Sequence, residues 1–192
     1  MPASADPLAS LRAQAHDCRA CGLAATRTNV VFGVGAPKAD LMFVGEGPGE
    51  QEDLSGEPFV GRAGRLLTSL IEGIGLTRDD VYIANVVKCR PPGNRNPAPG
   101  EIDACAPWLD RQLALVRPVV IVTLGNFATQ LLLGTREGIT RLRGRDFPLS
   151  RAGVDATVMP TYHPAAVLRS GGARLAEVRA DFVRVKRRLG VG

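Results

Sequence analysis

The chain of 192 residues is short of several things, and each shortage excludes something. No apolar run approaches the roughly 20 residues of a membrane span. The opening Met1-Pro2-Ala3-Ser4-Ala5-Asp6 lacks the basic-then-apolar pattern of a secretory leader. A cytoplasmic protein with no membrane association is therefore expected. There is no internal repeat, linker or low-complexity segment, so one domain over residues 1–192 is expected. A chain of this length buries about 70% of the surface its unfolded form exposes, and its folding need not depend on a metal. Histidine is limited to His16 and His163, and lysine to Lys38, Lys88 and Lys186. The other basic residues are arginines, and the net charge of +5 permits a polyanion partner without requiring one.

Cysteine is scarce too, and its placement is informative. Cys18 and Cys21 form a C-x-x-C pair, while Cys89 and Cys105 lie far downstream. None is spare, which suggests one four-coordinate site joining the N-terminus to the middle of the chain. In a reducing compartment such a set binds metal more often than it forms disulfides. Four thiolates suit zinc and an iron–sulfur cluster alike, so spacing leaves the two open.

Apolar patterning alternates between strands and helices, which argues an α/β layered sheet. Asp6-Pro7 is a helix start, with Leu8, Leu11, Ala15 and Cys18 on one face. Leu41 to Val44 is a buried strand, followed by a glycine-rich loop from Gly45 to Gly64. A helix marked by Leu66, Leu67, Leu70, Ile71 and Ile74 stops at Gly75. Strands are expected at Val81 to Val87, Val119 to Leu124 and Val154 to Pro160. Helices are expected from about Glu101 to Val116, around Phe127 to Leu133, and along Leu175 to Leu189. Residues 139–149 read as a hairpin or irregular crossover.

Ligands of open α/β sheets bind beyond the carboxyl ends of the strands. Three loops leave such ends: Gly45 to Gly61, Asn85 to Pro92, and Tyr162 to Arg169. The first has neither the Walker lysine nor the G-x-G-x-x-G spacing of nucleotide sites. Its Glu46, Glu50, Glu52 and Asp53 repel phosphate. An uncharged ligand fits it better.

The GEGPGEQED loop, GEPFVG, NVVKCRPP and YHPA segments resemble the family-4 uracil-DNA glycosylases, iron–sulfur members of the uracil-DNA glycosylase superfamily. The resemblance runs from Cys18 to about Leu168. Each segment alone is weak; four in order, interleaved with the cysteines, are specific. The resemblance implies a three-layer α/β/α fold with a central four-stranded parallel sheet. It implies that Cys18, Cys21, Cys89 and Cys105 hold a [4Fe-4S] cluster, with zinc the lesser alternative. It also implies excision of uracil from DNA by a monomer acting on uracil-containing DNA.

Residue roles follow from that resemblance. Phe59 is the expected stacking face for a flipped base. Asn85 is the expected reader: its amide can donate to uracil O4 and accept from N3–H, and cytosine reverses both groups. His163 is the expected catalyst, donating to the departing uracil O2. Glu46 and Gly47 match the first motif, with backbone N–H groups toward O2, and Glu46 is a candidate to place water. Other branches of the superfamily carry Asp or Asn where this chain has Gly47, so Glu46, Glu52 or DNA phosphates are the options. Glu52 matches the residue that blocks the thymine methyl. His163 to Arg169 resembles a DNA-insertion loop, with Leu168 as wedge and Arg169 on phosphate. The segment Arg90 to Pro99 is short and lacks histidine, so covalent trapping on DNA is not expected. Two rivals stand beside this reading: a zinc- or cluster-stabilised nucleic-acid-binding module without catalysis, and a small-molecule enzyme using the glycine-rich loop.

Overall fold

The computed structural model describes residues 6–191. Its centre is a sheet of six strands: β1 (Val34–Gly35), β2 (Leu41–Gly45), β3 (Tyr82–Asn85), β4 (Val120–Leu124), β5 (Phe147–Arg151) and β6 (Val154–Thr161). Their order is β1-β3-β2-β4-β6-β5. The sheet is mixed: β3, β2, β4 and β6 pair in parallel, while β1 and β5 add antiparallel edges. The expectation of four strands is thus too small. β1 is only two residues long and carries no alternation to detect. β5 falls in the stretch read as a hairpin or crossover and turns into β6 through Ala152 (φ 52°) and Gly153 (φ 72°).

The central strands are apolar throughout because both faces are covered. Met42, Val44, Tyr82, Ala84 and Ile121 face one apolar cluster; Leu41, Phe43, Val81, Ile83 and Val122 face the other. On the first face lie α1 (Pro7–His16), α4 (Pro99–Val116) and α5 (Asn126–Leu133). They contribute Leu8, Leu11, Leu109, Leu113, Ala128 and Leu132. The second face is covered by α3 (Arg62–Glu72), α6 (Ile139–Leu142), α7 (Pro164–Arg169) and α8 (Leu175–Leu189). Leu67, Ile71, Ile139, Val167, Val178 and Phe182 are buried there.

Local chemistry sets the helix ends. The Asp6 carboxylate caps α1 by accepting from the Leu8 N–H at 3.1 Å. Glu101 accepts from the Ala98 N–H at 2.8 Å and pairs with Arg95, fixing the start of α4. Two expectations shift. The glycine-rich segment contains α2 (Glu50–Ser55), and Cys18 lies past the end of α1 rather than on its face.

Register sets the site. Gly45 lies opposite Asn85, and Leu124 opposite Thr161. The four parallel strands therefore end along one edge, and the three candidate loops leave from it.

Candidate active site

A cavity of about 360 Å³ opens at that edge. Its lining includes Glu46, Gly47, Glu52, Phe59, Asn85 and His163. Arg169 also reaches it. Leu168 is 38% exposed and does not line it. Sequence reasoning did not point to Asn94, Arg95 and Asn96, which form part of the opposite wall. Their segment carried a turn signature but no hint of which way it folds.

Asn85 ends β3 and is 1% exposed. Its Oδ1 is buried without a hydrogen-bond partner. An unsatisfied buried acceptor costs about 1–3 kcal/mol, and a donor on a ligand in the cavity would relieve that cost. Phe59 and Asn85 come together because residue 45 is glycine. A Cβ there would lie 2.5 Å from the Phe59 ring and 2.5 Å from Asn85 Oδ1.

Phe59 has φ of 56°, the left-handed region that a bulky residue rarely enters. That strain, roughly 1–3 kcal/mol, is held by contacts on both sides. Arg78 donates to the carbonyls of Phe59 (3.1 Å) and Pro58 (2.8 Å). Glu52 Oε1 accepts from the N–H groups of Val60 (3.0 Å) and Gly61 (2.9 Å). Arg78 was not legible in the sequence, since an exposed-looking arginine after a helix carries no signature. Glu52 is a helical residue tied to the start of α3, not a loose loop carboxylate.

His163 precedes α7, and its ring centroid lies 5.6 Å from that of Phe59, tilted by 32°. The Ala165 N–H donates to His163 Nδ1 at 3.1 Å, which leaves the ring proton on Nε2. Burial, with Arg169 adding to it, lowers the imidazole pKa to about 4, against a smaller pull from Glu52. The ring is therefore neutral at physiological pH and remains a hydrogen-bond donor. Burial also raises the Glu46 pKa, partly opposed by Arg169. A Cβ on Gly47 would lie 2.7 Å from the Val87 side chain, so the chain packs too closely there for a side chain.

Cys18, Cys21, Cys89 and Cys105 line one separate cavity with Lys88 and Trp108. Three N–H groups point at three of the sulfurs. Trp108 Nε1 lies 3.4 Å from Cys18, Arg27 Nη1 lies 3.5 Å from Cys89, and the Lys88 main-chain nitrogen lies 3.3 Å from Cys105. Donors aimed at sulfur suit thiolates. Burial raises the free Cys89 thiol to about 11 and pushes Cys105 up as well. Among the described residues no three ligating side chains converge on a point fit for a single ion.

The arrangement is an aromatic face, an unpartnered amide and a neutral imidazole around a cavity with room for a nucleobase. Comparison with known proteins gives the family. The family model "Uracil DNA glycosylase superfamily" matches residues 32–185. The chain belongs to this superfamily. It is 49% identical to a type-4 uracil-DNA glycosylase of Archaeoglobus fulgidus, over 88% of this chain and 86% of that one. It is 46% identical to the type-4 enzymes of Sulfurisphaera tokodaii, over 94% and 84%, and of Saccharolobus solfataricus, over 96% and 87%. The chain is thus a member of the superfamily's type-4 branch. Among the described residues no helix is long and apolar enough to cross a membrane.

Proposed function

We propose that this protein is a DNA-repair uracil-DNA glycosylase, which turns uracil out of DNA and hydrolyses its N-glycosidic bond, leaving an abasic site. The observation that carries the reading is the orphaned Asn85 Oδ1 beside Phe59 and His163. Uracil supplies the missing donor through N3–H and an acceptor for the amide through O4. Cytosine offers N3 as an acceptor and an amino group as a donor, so both bonds reverse. Sites built on such bonds discriminate by about 10⁴–10⁵.

In this reading the base leaves the duplex, at a few kcal/mol of unstacking, and stacks on Phe59. The C1′–N1 bond breaks with its electron pair going to uracil. The Nε2–H of neutral His163 donates to O2 of the departing anion, with backbone N–H groups at Glu46 and Gly47 beside it. Water adds to C1′, and the proton it loses ends on the departed uracil anion. Glu46 suits the placing of that water, because Glu52 Oε1 is already engaged by two backbone N–H groups. Glu52, held against the start of α3, crowds the edge where a thymine methyl would sit. Leu168 fills the gap left by the flipped base, and Arg169 meets phosphate.

We further assign a [4Fe-4S] cluster to Cys18, Cys21, Cys89 and Cys105. Such a cluster supplies an anchor for the loop after Asn85, and this hydrolysis consumes no electrons. One domain acting as a cytoplasmic monomer on uracil-containing DNA completes the assignment. The exposed large apolar residues Leu54, Leu168 and Val183 lie on three different helices, and Val119 lies in the loop before β4. The test is alkali cleavage of a uracil-containing oligonucleotide after incubation with the wild type and with the Asn85 and His163 variants. Cleavage at uracil by the wild type is expected, with much slower cleavage by the His163 variant and altered selectivity in the Asn85 variant, and no cleavage by the wild type overturns the proposal.

A further inference from the structure

Lys88 is an unusual residue to find inside this fold. It is 1% exposed, and its Nζ donates to the Asn85 carbonyl at 2.7 Å and to Gln112 Oε1 at 2.5 Å. Both acceptors are neutral. A buried cation without a counter-charge is strongly unfavourable. Gln112 is itself wholly buried on α4, where its Nε2 donates to the Phe32 carbonyl at 2.7 Å and to the Tyr82 hydroxyl at 3.1 Å. The ammonium therefore sits at the end of a fixed polar chain rather than in a loose pocket.

The main chain of the same residue faces the cysteine site. Its N–H donates to Cys105 Sγ at 3.3 Å, and the residue lines the four-cysteine cavity. Four thiolates around an oxidised iron–sulfur core leave net negative charge. That charge is the counter-charge the buried ammonium otherwise lacks. One residue thus touches both the cysteine site and the strand end that presents Asn85.

We infer that Lys88 is a positioning residue for base recognition: its ammonium, balanced by the thiolate-bound group and braced by Gln112, pins the Asn85 carbonyl and sets the depth of the reading amide. The inference rests on the reading of Asn85 as the uracil contact.

The test uses Lys88→Met, which keeps the length of the side chain and removes the donor. Iron content and visible absorbance establish that the variant is loaded. Equilibrium binding is then measured for free uracil and for an oligonucleotide carrying a reduced abasic site, which has no base to read. A misplacement of about an ångström costs up to about 10²-fold. Lys88→Met is expected to bind free uracil about 10- to 100-fold more weakly and to discriminate less between uracil and cytosine. Binding to the abasic oligonucleotide is expected to stay within about twofold of wild type. Wild-type uracil affinity and discrimination in loaded Lys88→Met overturn the inference, as does an equal loss for both ligands. If Lys88→Met does not fold or load, Gln112→Leu carries the test. It removes the brace, and selective loss of uracil affinity supports the inference while unchanged affinity overturns it. Asn85→Ala is measured in parallel. Unchanged uracil affinity there sinks the pocket assignment itself. Loss there without loss in the Lys88 and Gln112 variants sinks only the role of Lys88.

Discussion

At the scale of single residues, the protonation state of His163 decides how the proposed chemistry depends on pH. An ordinary imidazole titrates near 6.5, and burial lowers this one to about 4. The folded protein therefore favours the neutral ring. Between about pH 6.5 and about pH 4 the unfolded chain holds more protons on this residue, so the contribution to stability falls as pH falls through that window. The single-turnover rate on a uracil oligonucleotide is expected to show no loss from His163 protonation between about pH 8 and about pH 5. A rate that falls as pH drops through about 6.5 contradicts the lowered pKa, and a rate that falls as pH rises through it contradicts a neutral donor. His163→Ala is expected to slow cleavage by at least about two orders of magnitude, with uracil-DNA affinity much less affected. Glu52 is fixed by the N–H groups of Val60 and Gly61, so its removal has two effects. Glu52→Ala is expected to admit some thymine excision and to lower overall activity by loosening Phe59. Thymine excision is checked on a T·G duplex.

At the scale of elements, α7 and the segment from Gly45 to Gly64 matter most. α7 buries Pro164 and Val167 while leaving Leu168 outward. Leu168→Ala is expected to slow excision from duplex about tenfold, because unstacking costs a few kcal/mol, with less effect on single strands. Equal slowing on both substrates removes the wedge assignment. Gly45→Ala pushes a Cβ against Phe59 and Asn85 at once. It is expected to damage uracil binding more than stability, which thermal unfolding and uracil titration separate.

These elements also show what was legible. The apolar run Leu41 to Val44 announced a central strand, and alternation with helical stripes announced the layers. The short edge strand β1 has two residues and no pattern, so pairing alone makes it a strand. α2 was hidden because its acidic, glycine-flanked residues Glu50 to Ser55 look like loop, and its stability comes from tertiary contacts such as the Asp53 carboxylate accepting from the Thr28 and Asn29 N–H groups. The residues around the cavity were named by motif resemblance. The left-handed backbone of Phe59, and the Arg78 grip that holds it, depend on a meeting of distant segments. Periodicity cannot reveal such a meeting.

At the scale of the whole molecule, two sites share one strand end. The cysteine site gathers Cys18 and Cys21 beyond α1, Cys105 from α4, and Cys89 from the loop that Asn85 begins. Cys89→Ser is expected to lower iron content and broad visible absorbance, and to reduce uracil excision through the loop rather than the chemistry. Intact absorbance in a Cys89→Ser, Cys105→Ser double variant removes the cluster assignment. The claim on which the account turns is that a neutral pyrimidine is read by Asn85 between Phe59 and His163. The most direct measurement compares Asn85→Asp with wild type for cleavage of matched oligonucleotides carrying uracil or cytosine at one position. The account predicts that the wild type cuts at uracil alone, and that Asn85→Asp loses uracil selectivity or gains cutting at cytosine. Unchanged selectivity in Asn85→Asp would contradict it.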